Sequence, residues 1–67
     1  MDHVRIRRLT EWIAGPERGC SLELWWQGPD GFWRAVWASA RTWEEAEAKA
    51  RASAEEGRAA VAREVAA

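Results

Sequence analysis

The sequence predicts an α+β domain in which a three-stranded antiparallel sheet, in the order β-β-β-α, packs on one C-terminal helix. Three observations support this fold class. A helix-capping motif opens an alanine-rich run, two strand-forming runs flank a turn, and apolar residues alternate with arginine near the N-terminus. A chain of 67 residues has room for one small domain. We expect that domain to span residues 1–67, with the sheet over about residues 3–39.

The helix has the strongest sequence signals. Thr42 is followed three residues later by Glu45, the spacing of a capping box, which predicts a helix that begins at Trp43. Gly57 predicts an end near residue 56, although the pattern can continue to residue 66 at a cost of about 1 kcal/mol for the glycine. One face carries mostly small residues at spacings of three and four and is predicted to pack on the sheet: Trp43, Ala46, Ala50, Ala54, Gly57, Val61 and Val65.

A β-hairpin precedes the helix. The runs Cys20 to Gln27 and Phe32 to Ser39 are rich in strand-forming residues. Between them, Gly28-Pro29-Asp30-Gly31 has the composition of a type I turn. Both runs are therefore expected to be neighbouring strands of the sheet.

Two registers of this hairpin fit the turn. If all four turn residues form the loop, Trp33 and Trp37 share a face with Trp26 and point towards the helix. A three-residue loop with a bulge at its last glycine instead places both on the face of Trp25. The first register is preferred, because it sets large rings against a small-residue helix face, whereas the second sets Arg34 beside Trp26.

The N-terminal residues allow two interpretations. Val4 and Ile6 alternate with arginines, as in a strand. A helix would instead align the apolar residues Ile6, Leu9, Trp12 and Ile13. The arginine-rich alternation favours an edge strand. Ala14 to Gly19, which includes Gly15-Pro16, is predicted to be a loop that returns the chain to the hairpin.

The reactive side chains predict a protein that is not an enzyme. One His, one Cys and no Tyr leave no nucleophile and base to work together, and they cannot complete a tetrahedral metal site. His3 is expected to be an ordinary surface residue and Cys20 a small buried apolar one. We therefore expect no catalytic, cofactor-binding or metal-binding residues, and no cofactor.

The cysteine content predicts the cellular compartment, and the charge predicts the class of partner. One cysteine cannot form an internal disulfide, which a secreted domain of this size would usually need, so a cytoplasmic location is expected. No apolar run approaches the 18 or so residues of a membrane span, and the N-terminus lacks the apolar segment of a signal peptide. Residues 1–42 carry six Arg against five acids, a small excess that disfavours nucleic acid as partner.

The six tryptophans are the most unusual feature of the composition. A domain of this size cannot easily bury six indoles of about 150–250 Å² each, so some are expected at the surface, where tryptophan is enriched in binding hot spots. Five are expected in the core: Trp12, Trp26, Trp33, Trp37 and Trp43. Trp25 alternates with polar residues and is expected to be exposed. The predicted partner-binding residues are Trp25, Arg34, Glu23 and Gln27, with the Arg34 guanidinium against the Trp25 indole.

Two classes of function follow. The near-neutral charge and the surplus of tryptophan favour a protein-binding module, of the kind that acts as a phage or mobile-element inhibitor or accessory protein, with a homodimer as a subordinate form. A Gly-x-Trp-Arg strand leading to Arg-Thr-x-x-Glu-Ala, over Gly31 to about Ala50, resembles the N-terminal arm-binding domains of phage integrases. This resemblance implies a sheet-faced DNA-binding domain, which is the alternative function.

Overall fold

The structure, a computed structural model, describes residues 4–66 and confirms the α+β fold. Three strands, β1 (Val4–Ala14), β2 (Glu17–Gln27) and β3 (Trp33–Ala40), are followed by one helix, α1 (Trp43–Ala66). The sheet has the order β1-β2-β3 with both neighbouring pairs antiparallel, so β2 is the central strand. Residue 3, where the sheet was expected to begin, lies outside the described residues.

The first hairpin is tighter than the sequence suggested. The predicted loop over residues 14–19 is wrong, because Gly15 and Pro16 alone make the turn and β2 already begins at Glu17. Gly15 has a φ of +64°, a conformation that other residues seldom adopt. The edge-strand interpretation of the N-terminal residues is confirmed. The pairing of β1 with β2 shifts between Arg8 and Thr10, which leaves Leu9 as a bulge.

The turn between β2 and β3 sets the register of the second hairpin. The amide of Gly31 donates to the Gly28 carbonyl and the amide of Gly28 donates to the Phe32 carbonyl, both at 2.9 Å. Gly31 has a φ of +88°, so the loop closes after three residues and Gln27 pairs with Trp33. The preferred four-residue register is therefore wrong, and the alternative with the bulge at Gly31 is observed.

The hydrophobic core lies between α1 and the face of the sheet that it covers. The large core side chains come from the central strand and are Leu22, Leu24 and Trp26. The neighbouring β3 contributes the smaller Val36, Ala38 and Ala40, and the helix contributes Ala46, Ala50, Ala54 and Val61. Small residues on the helix and on β3 allow a close approach, while the central strand fills the space between them.

The helix begins as predicted but does not end at Gly57. The amide of Glu45 donates to Thr42 Oγ1 at 3.1 Å, which confirms the cap. The helix continues to Ala66, so the favoured end near residue 56 is wrong and the alternative continuation to residue 66 is observed. The reason is packing: the buried indole of Trp26 lies on Gly57, and a Cβ at that position would stand 2.6 Å from Trp26 Cζ2. Glycine is needed there to make room for the ring.

Replacing Gly57 with alanine is expected to lower the melting temperature. In a helix without neighbours the same change would stabilise by about 1 kcal/mol, since alanine is the better helix former. Here the Trp26 ring must move, and overpacking of this kind costs about 1–3 kcal/mol. Circular dichroism melts measure the effect, with Ser53→Ala on the exposed side of the helix as control. A higher melting temperature for Gly57→Ala would contradict this packing.

Candidate functional site

The side of the sheet opposite α1, here called the outer face, is covered by no element among residues 4–66. Its register places four tryptophans on one surface with a few polar neighbours. The large and charged residues of the outer face are Arg5, Arg7, Trp12, Glu23, Trp25, Gln27, Trp33 and Trp37. All four indoles are partly solvent-exposed, from 38% at Trp33 to 65% at Trp37. Such a concentration of exposed aromatic rings is unusual for a surface without a partner.

Glu23, at the centre of this face, holds two of the indoles. Its Oε1 accepts a hydrogen bond from Trp25 Nε1 at 2.7 Å and its Oε2 accepts one from Trp37 Nε1 at 3.1 Å. Trp25 lies two residues along the same strand, and Trp37 lies directly opposite on β3. Arg7, directly opposite on β1, adds an ion pair of 3.5 Å. Hydrogen bonds to a carboxylate are strong, so both rings are held in fixed orientations.

A shallow groove lies beside this cluster. It is lined by Arg5, Trp25 and Trp33. The Arg5 guanidinium carbon stands 5.1 Å from the centre of the Trp33 ring, within the range of a cation–π contact. Gln27, directly opposite Trp33, donates from Nε2 to the Gly31 carbonyl at 3.0 Å. The groove therefore has two aromatic walls and one cation.

Three of the four predicted site residues come together on the outer face, namely Glu23, Trp25 and Gln27. Arg34 does not, and its predicted contact with Trp25 is wrong. The observed register turns Arg34 to the helix side, where its guanidinium carbon lies 5.5 Å from the centre of the Trp26 ring. There the guanidinium donates two hydrogen bonds to the Asp30 carboxylate, at 2.8 and 3.0 Å. This pairing explains why an arginine is tolerated beside the core.

Sequence reasoning missed several residues of the outer face. Trp12, Trp33 and Trp37 were expected in the core, but all are exposed, whereas Trp26 is buried and Trp43 half-buried. Trp12 lies over Gly19, where any Cβ would collide with the ring. Arg5 was not singled out at all. The signal that could have located Trp33 and Trp37 was Gly31, whose left-handed conformation sets the register.

The Asp30 carboxylate gives a pH-dependent test of the turn. The hydrogen bond from Arg34, aided by the one from the Phe32 amide, lowers the pKa of Asp30 from 3.8 to about 2. A lowered folded-state pKa stabilises the fold above about pH 3.8, and this contribution is lost as the pH falls through about 2. NMR titration is expected to show the low pKa, and Arg34→Ala is expected to raise it. A wild-type pKa near 3.8 would contradict the pairing.

Cys20 lies away from the outer face. Cys20 is buried, as expected, with its Sγ 3.8 Å from the Arg41 carbonyl oxygen, and His3 lies outside the described residues. Within residues 4–66, no three His, Cys, Asp or Glu side chains are grouped as metal ligands. In the same part of the chain, no helix is both long and apolar enough to cross a membrane. Comparison with known protein families, with curated proteins and with solved structures finds no match for this chain.

Proposed function

We propose that the chain is a non-enzymatic binding module that engages a protein partner through the outer face. The observation that carries this proposal is the position of the Glu23 carboxylate between the indoles of Trp25 and Trp37. Ordering exposed side chains on association costs about 0.5–1.5 kcal/mol for each flexible side chain. Rings that are already held by hydrogen bonds reduce that cost. Tryptophan and arginine are also the residue types enriched in interface hot spots.

We infer the chemistry of the partner from the charges of the outer face. Both oxygens of Glu23 are engaged by indole N–H groups, and Arg7 is paired with the same carboxylate. Arg5 lies over the Trp33 ring instead and forms no ion pair among the described residues. A partner that inserts an apolar side chain between Trp25 and Trp33, with a carboxylate beside it for Arg5, matches this arrangement.

A protein partner fits this face better than nucleic acid does. Nucleic-acid affinity comes largely from cations that neutralise phosphates. The outer face offers Arg5 and Arg7, one of which is paired with Glu23, and the whole chain carries a net charge of −1. Aromatic rings can also stack on the bases of single strands, so nucleic acid is tested as the competing outcome.

The proposal includes the biological setting expected from the sequence. A small inhibitor or accessory protein of a phage or mobile element needs only one binding surface, which is what the outer face would supply. The small size of the chain and its resemblance to integrase arm-binding domains are the support for that setting. A cytoplasmic location is proposed because Cys20, the single cysteine, is free and buried.

The experiment is partner capture with the chain as bait, combined with thermal melts. Trp25→Ala is expected to keep the fold and to lose at least about 2 kcal/mol of binding, the size of a hot-spot truncation. Phe32→Ala is the matched control, because Phe32 is 69% exposed but lies at the turn, outside the outer face. It is expected to leave binding unchanged.

Two results would contradict the proposal. One is a folded Trp25→Ala variant that captures its partner at wild-type strength. The other is capture of nucleic acid whose affinity falls steeply as salt is raised, which would support the DNA-binding alternative. Glu23→Ala tests whether the orientation of the rings contributes to binding in addition to their apolar area. The change removes the hydrogen-bond acceptor of both indoles and leaves both tryptophans in the chain. It is expected to weaken binding as well.

A further inference from the structure

The strand β1 is an edge strand with several solvent-exposed apolar side chains. Its backbone pairs only with β2, and its contacts with the helix side are limited to side chains such as Val4, which packs against the core, and Arg8, which contacts Trp43. Four of its apolar side chains are between 36% and 73% exposed: Ile6, Leu9, Trp12 and Ile13. The strand has 11 residues and contains neither lysine nor proline, so its edge protection rests on three arginines and the bulge at Leu9. Within residues 4–66, the backbone groups on its free side have no strand partner.

The bulge at Leu9 changes which residues of β1 share a face. Before the bulge, Arg5 and Arg7 lie on the outer face; after it, Thr10 and Trp12 do. If β1 is paired antiparallel with a copy of itself, residues before the bulge meet residues after it. Because of the bulge, an odd-numbered residue after it, such as Ile13, lies on the same face as an even-numbered residue before it, such as Ile6. The two can therefore lie opposite each other in the paired strands. A strand without the bulge would place such pairs on opposite faces.

We propose that β1 pairs antiparallel with β1 of a second copy, about a two-fold axis between Leu9 and Thr10, to form one continuous sheet. This register sets Ile6 opposite Ile13 of the second copy on the helix side. On the outer face it sets Arg7 opposite Trp12. Cross-strand pairs of apolar residues and of an arginine with an aromatic ring both stabilise sheets. The interface uses Arg7 and Trp12 of the outer face but not Glu23, Trp25, Trp33 or Trp37, so the Trp25→Ala test and the dimer tests can fail independently.

Charge favours this pairing over a parallel one. The same register sets Arg8 opposite Glu11 of the second copy on the helix side, and the two-fold axis repeats that pair. Arg8 is held on that side by its contact with Trp43, with its guanidinium carbon 4.6 Å from the ring centre. Glu11 forms no ion pair within the part of the chain that the structure describes. A parallel in-register pairing would instead set Arg5, Arg7 and Arg8 beside their own copies, which is repulsive.

Sedimentation equilibrium tests the association of the full chain. The wild type is expected to show twice the chain mass of 7.6 kDa as concentration rises. Glu11→Arg replaces two attractive pairs with two repulsive ones and is expected to raise the dimer dissociation constant about tenfold. Glu17→Arg, the same charge change at an exposed position on β2, is the control and is expected to leave the constant unchanged. A wild type that stays at 7.6 kDa up to its solubility limit would overturn the proposal.

Cysteine cross-linking tests the register. In a Cys20→Ser chain, Ile6→Cys is combined with Ile13→Cys, and separately Arg7→Cys with Trp12→Cys. Each pair is about 16 Å or more apart along one strand, so a disulfide can form only between copies. Neighbouring pairs alternate in hydrogen bonding, so one of the two has the closer geometry that a disulfide needs.

The result expected from cross-linking is a covalent dimer from at least one of the double variants and none from the single variant Ile6→Cys. Two results would overturn the register. One is the absence of covalent dimers from both double variants. The other is efficient cross-linking of Ile6→Cys alone, which would place residue 6 of one copy beside residue 6 of the other, as in a parallel pairing.

Discussion

The conformation of Gly31 determines which side of the sheet each tryptophan occupies. Its positive φ closes the second hairpin after three loop residues, so that Gln27 meets Trp33 and Glu23 meets Trp37. A shift of one residue would move every β3 side chain to the other face. The small residues of β3 would then lie outside, and two more indoles would compete for the space beneath the helix. The core and the outer face both depend on this one turn.

The observed register gives the sheet one buried face, which packs on the helix, and one solvent-exposed face. On the helix side, the central strand supplies Leu22, Leu24 and Trp26, and the small residues around them let α1 approach closely enough for Gly57 to receive the Trp26 ring. One helix covers only one face of the sheet. The four tryptophans of the outer face are therefore partly solvent-exposed. The carboxylate of Glu23 gives two of them a hydrogen-bond acceptor that orients their rings.

The elements that local chemistry determines were predictable from the sequence. The cap at Thr42, the small-residue face of α1, the strands and the exposure of Trp25 follow from spacing and composition. Two errors concern the lengths of the turns at Gly15-Pro16 and Gly31, and two others occurred where a distant residue decides the outcome. The helix passes Gly57 because Trp26 fills the space above it, and Arg34 stays beside the core because Asp30 pairs with it. Neither contact can be read from the local sequence, and the register differs from its rival by a single loop residue.

The most direct test of this account is an NMR measurement of contacts between the Trp37 indole N–H proton and the side chains of β2. The account predicts nuclear Overhauser effects from Trp37 to Glu23 and from Trp25 to Glu23, with none from Trp37 to Leu22. Together these would establish the register and the hydrogen-bonded cluster at the centre of the outer face. Contacts from Trp37 to Leu22 without contacts to Glu23 would show the other register, and would contradict both the core and the proposed binding face.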